Sequence, residues 1–160
     1  MIFVTIGTQE PFDRLVSAMD KIAANLNIEF IAQVSPRSSC LVNHMKSYSF
    51  LSPSEYEEIF NQAELVVAHA GIGTIISALV NQKPLIILPR QLKLKEHRSD
   101  HQMATVKHFS ALGYVNVAQD IEDLERMVRT FIETKEINVC PKLGKYASGV
   151  LIESIRNFGR

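Results

Sequence analysis

The feature that most limits what this chain can fold into is a repeated change of period. Short apolar runs alternate with stretches in which apolar residues recur every three or four positions. Ile2–Ile6 is a β-branched run that stops at Gly7. Phe12, Leu15, Val16, Met19, Ile22, Ala23 and Leu26 then follow helical spacing, with Pro11 suited to the first turn. The pattern repeats. Strands are expected at 28–34, 48–51, 65–68, 85–88 and 114–117, and helices from Ser52, from about Ile75 to Val80, over 99–112 and over 120–132. A last amphipathic stretch, 145–158, carries Val150, Leu151, Ile155 and Phe158. Strands alternating with helices make βαβ units and a mostly parallel sheet. The runs 65–68 and 85–88 are apolar throughout, which suits strands covered on both faces. The expectation is a Rossmann-like α/β fold, mostly parallel, with helices on both faces. No linker, repeat or low-complexity tract divides the 160 residues, so a single domain over 1–160 is expected.

Composition removes several function classes. Lys plus Arg and Asp plus Glu balance at 17 each, which argues against a nucleic-acid-binding face. Cys40 and Cys140 are in no CxxC pair and read as free thiols of a reducing compartment. No run reaches the roughly 18 apolar residues of a membrane span, and the N-terminus reads as a strand rather than a signal peptide. A cytoplasmic protein is expected.

In open parallel sheets, ligands bind beyond the carboxyl ends of the strands. That rule selects three strand-to-helix junctions. At the first, Gly7-Thr8-Gln9, Gly7 allows a tight turn, and Thr8 is either a helix cap or an anion ligand. At the second, His69-Ala70-Gly71-Ile72-Gly73-Thr74 places two glycines and a hydroxyl where a helix begins, an arrangement that admits phosphate. It is neither a Walker A loop nor GxGxxG. His69 is either a hydrogen-bonded structural residue or a contact to a diphosphate or sugar. The third, Pro89 to Gln102, is rich in Lys and Arg. Asp100 and Gln102 offer polar groups suited to sugar hydroxyls. Its basic residues, Arg90, Lys93, Lys95 and Arg98, could attract phosphate or an anionic membrane surface, but individually they read as a solvated loop. No nucleophile elbow or HExxH motif occurs, no catalytic set stands out, and the His97/His101 pair lacks further metal ligands.

Together, Gly7-Thr8-Gln9, His69-Ala70-Gly71-Ile72-Gly73-Thr74 and Pro84–Pro89 leading to Asp100-His101-Gln102 resemble the C-terminal domain of family 28 glycosyltransferases, over roughly residues 1–135. This is the UDP-sugar-binding lobe of a two-lobed GT-B fold. The short chain is similar to stand-alone forms of that lobe: the soluble subunit of the eukaryotic transferase that adds GlcNAc to a dolichol-linked sugar, and small bacterial subunits of exopolysaccharide or capsule assembly. The resemblance implies a donor site. Gly7, Thr8 and Gln9 would line the cleft near the phosphates, Phe50 and Leu51 would lie near the uracil, and Gly71, Ile72, Gly73 and Thr74 would contact the diphosphate. His69 would border that pocket, and Asp100, His101 and Gln102 would approach the sugar. Where the two-lobed enzymes use a Glu on the ribose, this chain has Ser77.

The resemblance further implies transfer of a hexose, hexuronic acid or N-acetylhexosamine from UDP to a lipid-linked saccharide, without metal or cofactor. The acceptor site would belong to a membrane-anchored partner subunit that recruits this chain to the inner face of the membrane. The 145–158 helix would either dock that partner or pack on the chain's own sheet. Two other readings stay open. One is a non-catalytic nucleotide-sugar-binding or stabilising subunit. The other is a homodimer whose neighbour supplies the acceptor lobe.

Overall fold

The computed structural model describes residues 1–7, 10–96, 106–107, 109–111 and 113–137. Six parallel strands form one sheet: β1 (Ile2–Thr5), β2 (Phe30–Gln33), β3 (Lys46–Tyr48), β4 (Leu65–Ala68), β5 (Leu85–Ile87) and β6 (Asn116–Val117), in the spatial order β3-β2-β1-β4-β5-β6. Helices among the described residues include α1 (Asp13–Ala23), α2 (Pro53–Gln62), α3 (Ile72–Val80) and α4 (Ile121–Thr134), with a 3₁₀ turn at Leu92–Leu94. The expected Rossmann-like parallel sheet is the fold observed.

Side-chain alternation along the strands builds two cores. Ile2 and Val4 of β1, Leu65 and Val67 of β4, and Ile86 of β5 face one cluster with α1 and α4. Phe3, Val66, Ala68, Leu85 and Ile87 face the other, with α2 and α3. Each central strand thus has two buried faces, which is why its sequence shows no polar alternation. β3 differs. Lys46 and Ser47 are exposed at the sheet edge, so the strand lies at 46–48 rather than at the more apolar 48–51 expected from sequence.

The order of strands positions the site. From β1 the chain moves one way to β2 and β3 with α1 on one face. From β4 it moves the other way to β5 with α3 on the opposite face. β1 and β4 pair directly, from Ile2 beside Leu65 to Thr5 beside Ala68. The order reverses between them, and the helices that follow them leave on opposite faces. In open parallel sheets such a reversal is where a ligand crevice forms, which here puts the expected crevice past Thr5 and Ala68.

Candidate functional site

Two of the three junctions selected from sequence meet at this crevice. Gly7 follows β1 with φ +75°, a left-handed conformation that favours glycine. His69 follows β4, and its backbone N–H reaches Thr5 O at 3.4 Å. The Gly71 N–H bonds back to His69 O at 2.8 Å, a tight turn that ends one residue before α3.

The His69 imidazole fills the space left by both glycines. A Cβ on Gly7 would stand 3.0 Å from His69 Cε1, and one on Gly71 would stand 2.5 Å from Nε2. These glycines therefore serve the histidine ring first. Gly73 is different: a Cβ there would meet nothing within 4 Å. It lies exposed in the first turn of α3, between exposed Ile72 and half-buried Thr74.

The start of α3 has the chemistry of an anion site. Gly71 is its N-cap, and no side chain caps the helix. The first N–H groups of a helix have no intrahelical partner, and the helix dipole puts partial positive charge at the same point. By contrast, α2 carries its own cap. Ser52 accepts from Glu55 N, and Glu55 Oε2 accepts from Ser52 N at 2.8 Å.

The remaining expected site residues divide by burial. Phe50 is 67% exposed beyond the carboxyl end of β3, whereas the Leu51 side chain is buried in the core under α2. Any contact Leu51 makes to a base in the crevice therefore falls to its backbone. Ser77 is partly buried, and its carbonyl accepts from Asn81. Thr8, Gln9, Asp100, His101 and Gln102 lie outside the described residues, as do Cys140 and the 145–158 stretch.

Arg90 corrects the reading of 89–98 as a solvated basic loop. It is 2% exposed. Its guanidinium donates to Ile6 O (3.1 Å), Glu10 O (2.7 Å), Pro11 O (2.5 Å) and Glu96 O (3.3 Å), and stacks 4.7 Å from the Phe12 ring centre. Burial pushes its pKa down, and the nearby Glu96 and Glu10 carboxylates oppose that shift. Arg14 completes the arrangement through Glu96 (2.6 and 2.9 Å) and Pro89 O (2.9 Å). Arg90 thus fixes the loop after β1 to the loop after β5. Its place in a run of Lys and Arg hid this role. The available signal was its position immediately past a buried strand.

Asp13 and Asp20 tie the 35–44 loop to α1. Asp13 accepts from Ser38 Oγ and from the Ser39 backbone and hydroxyl, at 2.6 to 3.1 Å. Asp20 accepts from the backbone of Asn43 (3.0 Å) and His44 (2.8 Å) and lies 3.1 Å from the His44 ring. Burial alone would raise both carboxylates, but these hydrogen bonds outweigh it and both pKa values fall below the usual carboxylate range. Among the described residues, no group of three or more His, Cys, Asp or Glu side chains could hold a metal ion.

Known proteins share this architecture. The chain superposes on the crystal structure of Acinetobacter baumannii MurG with TM-score 0.64 and 12% identity, covering 98% of this chain and 48% of that one. It superposes on the solution structure of ALG13 with TM-score 0.59 and 21% identity, covering 96% and 93%. At such identities these two likenesses show the fold alone. In sequence, it is 32% identical over 82 residues to a protein of Cryptococcus neoformans named UDP-N-acetylglucosamine transferase subunit ALG13. That match spans 50% of this chain and 38% of the fungal protein, so the chain accounts for well under half of its relative's length. The model of one family, the glycosyltransferase family 28 C-terminal domain, matches residues 1–140, and the chain belongs to that family.

Proposed function

We propose that this chain is the donor-binding subunit of a two-component glycosyltransferase. It holds a UDP-sugar, with UDP-GlcNAc the first candidate, for transfer to a lipid-linked saccharide bound by a membrane-anchored partner. The observation that carries this reading is the uncapped start of α3, with exposed Gly73, at the point where the strand order reverses. As the anomeric C–O bond breaks, negative charge collects on the leaving UDP. The N–H groups of Ile72, Gly73 and Thr74, aided by the helix dipole, are placed to stabilise that charge without reorganising. Gly7 and His69 form the floor beneath. Of the residues expected to approach the sugar, Asp100, His101 and Gln102, the role is carried over from the resemblance alone.

The fungal relative's name supports GlcNAc as the sugar, and the word subunit in it supports a partner. That name gives no support to the exopolysaccharide or capsule setting, so the acceptor is kept at the level of a lipid-linked saccharide. No helix of the described residues is long and apolar enough to cross a membrane.

Calorimetric titration of the chain, alone and co-purified with its partner, against UDP, UDP-GlcNAc, UDP-glucose, UDP-galactose, UDP-glucuronate and ADP-glucose tests the reading. Binding of uridine compounds with UDP-GlcNAc strongest is expected. Equal binding of ADP-glucose, or no uridine binding by either preparation, would overturn it.

A further inference from the structure

Past β5 the chain makes a short turn, held at its base, whose tip joins no core cluster and no ion pair among the described residues. Leu92, Lys93, Leu94 and Lys95 are four consecutive exposed residues, with the two leucines 46% and 49% exposed. Neither leucine joins either core cluster. The turn is internally bonded through Leu94 N to Gln91 O (3.1 Å) and Lys95 N to Leu92 O (2.8 Å), and Lys95 closes it at φ 58°. Its base is locked, because Gln91 N donates to Glu96 Oε2 at 2.9 Å and the same carboxylate is held by Arg14. Its single acidic residue, Glu96, is therefore turned inward, and the outward tip carries positive charge only. Neither Lys93 nor Lys95 forms an ion pair among the described residues.

Exposed leucines alternating with lysines that form no ion pair among the described residues, on an internally bonded turn, match one surface best. Lysine is depleted in the cores of protein interfaces. At a bilayer, by contrast, its stem covers apolar neighbours while the ammonium stays among the headgroups. We propose that the Leu92–Lys95 turn makes direct contact with an anionic membrane, independently of any partner. The leucines enter the boundary between headgroups and acyl chains, and the lysines meet anionic headgroups. The turn leaves from the same end of the sheet as the crevice, so this contact holds the crevice beside the bilayer surface.

Sedimentation of the purified full chain with phosphatidylcholine vesicles, with and without phosphatidylserine, tests the proposal. Binding is expected only to the phosphatidylserine vesicles and is expected to weaken as salt rises. The Lys93→Gln/Lys95→Gln variant should partition about 30-fold more weakly. The Leu92→Ser/Leu94→Ser variant should lose at least as much on the same vesicles. All four side chains are exposed, so unchanged melting curves are expected for both variants and separate lost contact from lost fold. The proposal is overturned if the chain ignores phosphatidylserine vesicles, binds neutral ones equally, or binds as before in either double variant. It is overturned equally if the leucine variant abolishes co-purification of the protein partner while vesicle binding stays unchanged, which would make the tip a protein contact.

Discussion

At the residue scale, three glycines that look alike in sequence do different work. Gly71 makes room for the His69 ring, and Gly7 does so while also holding a left-handed φ; Gly73 faces open space. Gly71→Ala is therefore expected to displace His69, lowering melting temperature and nucleotide affinity together. Gly73→Val meets no neighbour and replaces the weakest ordinary helix former, so stability should hold or rise slightly while UDP affinity falls at least about tenfold. Paired melting curves and titrations check both, and a Gly73→Val protein with full UDP affinity would remove the phosphate role from α3. Sequence showed that this loop was a phosphate candidate. It did not show that His69 claims two of the glycines, because that depends on β1 and β4 being neighbours. Arg90 was misread for a similar reason: its carbonyl partners Ile6, Glu10 and Pro11 lie about 80 positions away in the chain. Arg90→Lys supplies one compact ammonium where a planar fork met four carbonyls, and is expected to cost about 2 kcal/mol in denaturant unfolding. Since those carbonyls belong to the loop after β1, UDP binding should weaken with it.

At the element scale, the strongly patterned pieces were legible and the weakly patterned ones were not. β4 and β5 are apolar through their whole length, and β1 is apolar up to Thr5, because both sheet faces are covered, so their runs stood out in the sequence. β3 has two exposed residues at the edge and carries no such signal. The start of α2 was readable from Ser52 and Glu55, which form the capping box observed. The clasp between α4 and the start of β4 was not readable. Glu64 accepts from Lys135 Nζ at 2.7 Å and from the Met1 amine at 2.6 Å, and in that order these contacts lower its pKa from 4.5 to about 2. A carboxylate lowered in the fold contributes stability above its unfolded pKa and loses it as pH falls toward the folded value. The clasp should therefore fade between pH 4.5 and about 2. Glu64 is half exposed, so the contribution is screened and should shrink with added salt. Glu64→Gln is expected to lower stability slightly in the neutral region at low salt and to flatten the acid limb by the same amount, so that the two curves converge near pH 2. An unaltered acid limb would show that the clasp contributes nothing.

At the scale of the whole molecule, the alternation of strands and helices disclosed the parallel sheet, but not the order of its strands. That order makes the candidate site, because only the reversal between β1 and β4 places Gly7 against His69 ahead of α3. Strand order depends on which edges pair, and buried strands of similar apolar composition leave little local record of that choice. Family resemblance supplied what local pattern could not. UDP binding ahead of α3 is tested most directly by backbone amide spectra of isotope-labelled protein titrated with UDP. The amides of Gly7, Gly71, Ile72, Gly73 and Thr74 are expected to shift together with saturation, while those of Thr130 and Thr134 on α4 stay in place. Saturable UDP binding that leaves Ile72, Gly73 and Thr74 unmoved would put the nucleotide elsewhere and remove the donor role from the start of α3.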